Sequence, residues 1–413
     1  MEVKCSNLAD TLQRTVSPVR EIMSFADKKT LEKMGVDPKT LISFGGGWVN
    51  HNSPEEYRLA YIEAAKDEKI FHYCGGYSPT SGESFCKTSI VNYEKKVYEI
   101  ENISEKNIII GQSSSQLTSL LFRVLLNDDD KICLLDPSYC NYPLQILTST
   151  NSDIIRFPVI DEKTFEYIGN KEKNIENFAK FLEENKPKIV LIVAPDNPTG
   201  QLPSDSFMKS VYESVKKYGG VIVLDLAYKE LIFKEKPEYF SWSPDGNFIS
   251  IHSNSKWGRN LGRRLGWIEA PQYIIEGFET FQNSSILCPD RFHQFVFSKY
   301  FDENIENGNF QKYVKSTKEL YKKTADIMVE SIEKYVKLPY LIPEGGLYTC
   351  IKVDENSAKF VQNLLKEKGV LVIPGWGFGN TLSESVRLSF GPLVYNHERL
   401  IEGLKRMGQF LEK

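Results

Sequence analysis

Four short apolar runs punctuate the middle of this chain: Ile108 to Ile110, Ile132 to Leu135, Ile189 to Val193 and Val221 to Leu224. A run that is apolar at every position, rather than at alternate ones, suits a strand buried on both faces. Helical patterns separate the runs. Leu117, Leu120, Leu121, Val124 and Leu125 share one helix face after the first run, and Phe207, Val211 and Val215 lie between the third and fourth. This alternation confines the chain to an α/β architecture, with a parallel or mixed sheet covered by helices on both faces. At 413 residues the chain exceeds what one core accommodates, so more than one domain is expected.

The flanks have a different character. Ser17-Pro18 ahead of Val19, Ile22 and Met23 predicts a helix start with proline at the first helical position, and Ser53-Pro54-Glu55-Glu56 ahead of Leu59 and Ile62 predicts another. From about residue 290 a long Lys- and Glu-rich helical pattern runs to roughly Val336. Strand candidates follow at Leu347 to Val353, Val370 to Ile373 and Val386 to Phe390, and a helix ends the chain. We therefore expect residues 51–295 to form a large domain. Residues 1–50 and 296–413 are expected to form a smaller α+β domain from both chain ends.

Composition excludes several classes. A net charge of -4 gives no general attraction to nucleic acid or anionic membrane. No segment reaches the uninterrupted apolar length of a membrane span. Lys4, Asp10, Arg14, Arg20 and Glu21 interrupt the apolar run that a secretory signal needs. Seven scattered cysteines form no CxxC pair, which reads as reduced thiols in the cytoplasm, and the five histidines show no metal-ligand spacing.

In open α/β sheets ligands bind beyond the carboxyl ends of the strands, so the residues after each apolar run are the ones to weigh. Gly111-Gln112-Ser113-Ser114-Ser115 opens a helix, where free N–H groups and hydroxyls suit a phosphate, although serines at a helix start also serve as plain caps. Asp136-Pro137-Ser138-Tyr139 and Asp196-Asn197-Pro198-Thr199-Gly200 have the composition of turns. Asp225 ends an apolar strand, where a carboxylate is costly unless it meets a positive partner, and Tyr228 follows three residues later. Ser253-Asn254-Ser255-Lys256 sets a lysine after hydroxyls, with Arg264 eight residues on. Taken singly, each segment could be a cap, a turn or a solvated loop.

In this order, over nearly the whole chain, the segments resemble the class I/II aminotransferases of pyridoxal phosphate (PLP) fold type I. Ile42-Ser43-Phe44-Gly45-Gly46-Gly47 is similar to that family's N-terminal glycine segment, and Tyr77-Ser78-Pro79-Thr80-Ser81-Gly82 to its Tyr-x-Pro-x-x-Gly-type loop. The Asn197-Pro198-Thr199-Gly200, Asp225/Tyr228 and Ser253/Lys256/Arg264 groups match its central motifs. Pro343-Glu344-Gly345-Gly346-Leu347-Tyr348 and Val386-Arg387-Leu388-Ser389-Phe390 match those of its C-terminal domain. The local wording is nearest to the kynurenine/2-aminoadipate aminotransferase branch.

The resemblance implies that Lys256 holds PLP as a Schiff base and then moves the substrate's α-proton, with Asp225 paired to the pyridine nitrogen. It implies that Asn197 and Tyr228 donate to the ring's phenolic oxygen while Tyr139 stacks on the ring face. Ser114, Ser115, Ser253 and Arg264 would hold the phosphate, joined by Tyr77 from the neighbouring subunit of a homodimer. Arg387 would take the α-carboxylate, with Gly46 and Asn197 beside the substrate. The reaction implied is amino-group transfer between an L-amino acid and a 2-oxo acid. Elimination or replacement, decarboxylation and cyclisation of a modified amino acid are the alternatives on the same scaffold, because they share its cofactor residues. The sequence departs from the family pattern at Asn254, at Ser113 (where glycine is typical), at Trp48-Val49-Asn50, and in a basic loop carrying Arg259 and Arg263. Arg20 and Arg263 are the candidates for a second anion-binding arginine.

Overall fold

The structure is a computed structural model that describes residues 3–14, 22–25 and 27–412. The expected helix start at Ser17-Pro18, with Val19, and the candidate Arg20 lie outside the described residues.

A two-residue strand, β1 (Ile42–Ser43), precedes the main sheet. Among the described residues seven strands build that sheet: β2 (Ile108–Gly111), β3 (Lys131–Asp136), β4 (Asp153–Pro158), β5 (Ile189–Val193), β6 (Val221–Asp225), β7 (Phe248–Ser253) and β8 (Gly266–Glu269). Their order is β2-β8-β7-β6-β5-β3-β4, and β8 alone runs antiparallel to both its neighbours. Every residue of β5 and β6 is buried, as apolar runs covered on two sides require. One face packs Val190, Ile192, Ile222 and Leu224 beneath Phe207, Val211 and Val296. The other packs Leu191, Val193, Val223 and Ile251 against Leu117, Leu121 and Phe278. Each such aliphatic burial contributes roughly 1.5–3 kcal/mol.

The two chain ends share a second core. β9 (Tyr348–Lys352), β11 (Ile373–Pro374) and β12 (Ser385–Ser389) form an antiparallel sheet in the order β11-β12-β9. Between them β10 (Val370–Leu371) pairs in parallel with β1, which fastens the N-terminal segment onto the C-terminal residues. Ile22, Leu31, Ile42 and Phe44 accordingly pack with Met328, Phe360, Leu365 and Leu404.

Several local expectations are corrected. The long helical pattern after residue 290 divides into helices Arg291–Glu306 and Asn309–Ser331, because Gly308 adopts φ +76° between them. The first half packs Val296, Phe297, Tyr300 and Phe301 against the large sheet's core, whereas Tyr321, Ala325 and Met328 of the second half join the other core. The expected strand from Val370 to Ile373 is interrupted into β10 and β11, each with its own partner. In helix Glu55–Lys66 the buried face is Tyr57, Ala60 and Ala64, while Leu59 is 42 % exposed; Pro54 stands at the cap position without a side-chain bond. Strands β4, β7 and β8 were not among the apolar runs. β4 is a partly exposed edge strand, and the other two carry buried polar residues: Ser250, His252 and Ser253 on β7, and Glu269 on β8.

Candidate active site

The carboxyl ends of the parallel strands open on one cavity. β2 leads into helix Ser113–Leu125, which brings Ser114 and Ser115. β3 leads to Tyr139, β5 to Asn197, β6 to Asp225 and Tyr228, and β7 to Ser253 and Lys256; Arg264 closes the wall just before β8. All nine residues line the same cavity. The sheet order explains the convergence, since β7, β6, β5 and β3 are adjacent and parallel, so the loops after them share one edge.

Lys256 occupies the centre. Its Nζ donates to the Gly47 carbonyl at 2.6 Å and lies 5.3 Å from the centre of the Tyr228 ring. Burial, followed by the positive fields of Arg387 and Arg264, lowers this amine from its ordinary value to about 8, and Asp225 opposes the shift. Roughly a tenth of the amine is then neutral at pH 7, far more than for an ordinary lysine.

Asp225 is buried and accepts from the Tyr142 hydroxyl and from the Ala227 N–H, each at 2.9 Å. Burial pushes its carboxyl up from the usual range, and those two bonds with Lys256 only partly oppose that. A carboxylate so placed is stabilised when a cation comes beside it, such as a protonated ring nitrogen.

Another part of the cavity lining suits an anion. The first-turn N–H groups of helix Ser113–Leu125 have no partner within the helix, and the helix dipole adds partial positive charge. Ser113 holds φ +70°, the left-handed conformation that glycine takes without strain, so serine adopts the turn that glycine is expected to make. The guanidinium of Arg264 donates to the Ser113 hydroxyl and, at 2.5 Å, to the Leu261 carbonyl. Ser253 donates to Ser255 at 2.8 Å. An aromatic phosphate with a basic ring nitrogen would fit this lining, which offers hydroxyls and a guanidinium at Ser114, Ser115 and Arg264 and a carboxylate at Asp225.

Arg387, on β12, comes from the second core and is 2 % exposed. It donates through Nη1 to the Asn197 side-chain oxygen at 2.9 Å and through Nη2 to the Gly45 carbonyl at 3.0 Å, and its Nε is buried without a partner. Tyr348 and Phe378 flank the guanidinium with ring centres at 4.4 and 4.9 Å. The glycine segment thus spans the site, Gly45 meeting Arg387 and Gly47 meeting Lys256. Gly46 lies against the Trp48 indole, where an added Cβ would stand 2.1 Å from a ring atom.

Three residues of the sequence reading stand elsewhere. Tyr77 is 79 % exposed and does not line this chain's cavity; Arg291 holds its backbone carbonyl. Arg263 lies over the Tyr61 ring at 4.9 Å and bonds the Asn260 side chain at 2.7 Å. Arg259 donates to the His51 carbonyl at 3.0 Å and the Asn50 side chain at 3.2 Å, so both are engaged away from the cavity. Two roles go beyond the motifs: the Tyr142 hydroxyl orients Asp225, and Tyr348, so far only the last residue of a C-terminal motif, meets the Tyr228 hydroxyl with its own at 2.9 Å.

Residues 47–404 match the family model described as aminotransferase class I and II. The chain is 24% identical to an aspartate aminotransferase of Pyrococcus abyssi, covering 95% of this chain and 97% of that protein. It is 27% identical to aromatic-amino-acid aminotransferase 1 of Thermococcus litoralis, covering 92% and 89% respectively. The fold superposes on a mutant Thermus thermophilus aspartate aminotransferase with a TM-score of 0.84 at 18% identity, over 99% of this chain and 100% of that one.

Proposed function

Because this chain belongs to the class I and II aminotransferases and works with pyridoxal phosphate as they do, we propose that Lys256 carries the cofactor and Arg387 takes the substrate's α-carboxylate. The enzyme moves an amino group between an amino acid and a 2-oxo acid. The observation that carries the assignment is the half-buried Lys256 amine, lowered to about 8 and lining one cavity with Asp225, Tyr228 and Arg264.

When bound, the cofactor supplies the electron sink for the α-carbon. The chain's own residues supply position and charge. Asp225 provides the anion for the ring nitrogen. Arg387 can only donate, so the Asn197 oxygen must face it, which leaves the Asn197 NH2 as a donor on its other side toward the ring's phenolic oxygen. The Tyr228 hydroxyl is a second donor to that oxygen, with Tyr348 fixing its direction. Tyr139 would cover the ring face, and Ser114, Ser115, Ser253 and Arg264 would hold the phosphate. The free donor at Arg387 Nε and its guanidinium charge suit a carboxylate beside Gly46 and Asn197. Lys256 Nζ, neutral for part of the time, would take the proton from the substrate's α-carbon.

The reading extends to assembly. Tyr77 projects outward beside the exposed Phe71 and Tyr73, which suits a two-fold homodimer in which each Tyr77 completes the partner's phosphate site. Cytoplasmic location is supported by seven cysteines free of disulfides. Among the described residues no helix is long and apolar enough to cross a membrane.

The test is spectroscopic. A panel of amino acids is added to purified enzyme, and the visible absorbance is followed before and after addition of a 2-oxo acid. Loss of the yellow form and its return with the 2-oxo acid are expected. Ammonia release without that return would overturn transfer as the reaction.

A further inference from the structure

Beneath the sheet, on the face away from Asp225, lies a buried ionic cluster that the proposed chemistry does not use. Lys229 and Glu94 are 2 % and 0 % exposed, and the ammonium donates to Glu94 Oε1 at 2.7 Å. The rings of Tyr98 and Tyr93 stand 3.9 and 4.8 Å from that ammonium. Glu230, next in the chain, accepts from the Tyr93 hydroxyl. Glu94 and Tyr93 both belong to helix Ser84–Val97, so two consecutive residues of the turn after β6 are anchored on one helix. His252 continues the cluster. Its ring stacks on Trp267 at 5.0 Å, with Nε2 3.2 Å from Glu269 and Nδ1 3.6 Å from Glu94.

The cluster touches the cavity through the chain itself. Lys229 follows Tyr228 directly, and His252 directly precedes Ser253. Side chains of neighbouring residues in extended chain point to opposite faces, so holding His252 beneath the sheet turns Ser253 toward the cavity. In the turn, the Lys229 N–H donates to the Leu226 carbonyl and the Leu231 N–H to the Tyr228 carbonyl, which ties Tyr228 and Lys229 into one hydrogen-bonded turn. Burial pushes the Glu94 and Glu230 carboxyls up to about 7, as expected where three carboxyl groups share one ammonium. Glu94, His252 and Glu269 are also the one trio of potential metal ligands found within 4.8 Å of one another among the described residues. The Lys229 ammonium already takes the cation's place beside Glu94, which disfavours a metal there.

We propose that Lys229 is a positioning residue for the cofactor site: anchored on Glu94, it fixes the turn after β6 and thereby the direction of the Tyr228 hydroxyl. This rests on the reading that Tyr228 donates to the cofactor's phenolic oxygen. A donor there favours the deprotonated form of the bound chromophore, so losing it raises the pH at which the yellow absorbance titrates.

The experiment uses holoenzyme and reads that spectral midpoint, with cofactor retention and thermal melting alongside. Lys229→Met and Glu94→Gln are made singly and together, since the pair removes both partners of the ion pair at once and leaves Glu230 and Glu269 to their hydrogen bonds from Tyr93, Trp267 and Ser250. Tyr228→Phe is made alone and combined with the pair. Tyr228→Phe and the folded Lys229 and Glu94 variants should each raise the midpoint by roughly 0.5–1 pH unit, and the combination should add nothing to Tyr228→Phe. Unchanged midpoints in folded Lys229 or Glu94 variants, beside a shifted Tyr228→Phe, would overturn the proposal alone, as would full additivity. A silent Tyr228→Phe would overturn the assigned role of Tyr228 and the proposal with it. Should the single variants fail to fold, the charge-free pair decides. A stoichiometric divalent ion lost on Glu269→Gln would also overturn it, because Lys229 could not then hold its place.

Discussion

Arg387→Lys isolates the substrate clamp without removing its charge. In the structure the guanidinium spans three directions at once: Asn197 through Nη1, the Gly45 carbonyl through Nη2, and a free donor at Nε. A lysine ammonium is a single point on a flexible stem, so it cannot keep those two partners and also present a fork to a carboxylate. Losing one charge-assisted hydrogen bond costs about 1.5–3 kcal/mol. That corresponds to a fall of roughly 10- to 150-fold in kcat/KM. Because the α-carboxylate is common to all amino acids, the loss should be of similar size for acidic, aliphatic and aromatic substrates. The single-turnover absorbance change, measured across substrate concentrations, gives kcat/KM for each without interference from product release. The Asn197 oxygen or the Gly45 carbonyl would also be left short of a donor inside the core, so the melting temperature should fall. A loss confined to one side-chain class would place Arg387 at a side-chain pocket instead. A loss below about threefold for every substrate would show that the fork is not used.

The remaining predictions concern the cofactor and the assembly. Borohydride reduction followed by peptide mapping should place the pyridoxyl label on Lys256, and Lys256→Ala should carry none; a label on another lysine would remove the central assignment. In cofactor-free enzyme the Lys256 amine is cationic below about 8 and neutral above it. The rate of covalent attachment should therefore rise about tenfold per pH unit up to that point and then level off, and a flat stopped-flow profile would contradict the lowered amine. Asp225→Asn keeps an oxygen for the Ala227 N–H and can donate its amide to the Tyr142 hydroxyl but removes the anion, so turnover should fall by orders of magnitude with melting little changed; near-normal turnover would refute its role. Heterodimers of Tyr77→Phe and Lys256→Ala subunits should regain about half of the wild-type activity if Tyr77 serves the neighbour, because one site then carries both defects and the other neither. Activity no higher than that of the single variants would assign Tyr77 to its own subunit.

How far this molecule could be read in advance depended on where each residue's partner lies along the chain. β5 and β6 are legible because burial on both faces is written into every residue of the strand, as in Ile189 to Val193. β7 is equally buried, yet its Ser250, His252 and Ser253 conceal it, and what makes them tolerable comes from far away. Glu94, which neighbours His252 and binds Lys229, is separated from that lysine by 135 positions, a relation no local window contains. The candidate site divides in the same manner. Asp225 ends a strand and Asn197 and Lys256 follow strand ends, where an α/β sheet must gather its loops, so their order along the chain already predicts that they meet. Tyr142 sits in an ordinary helix start, and only the bond to Asp225 across 83 positions gives it a task. The Arg387–Asn197 contact spans 190 positions and joins the two cores, so it exists only once both have folded. Ser113 shows the converse limit: its chemistry suggests a cap, whereas its positive φ makes it the corner of the turn, a property that residue type alone does not carry. Residue types at strand ends thus foretell which groups assemble, while orientation is set by long-range partners. It follows that perturbing Lys229 or Tyr142 should alter how the site works without altering what lines it.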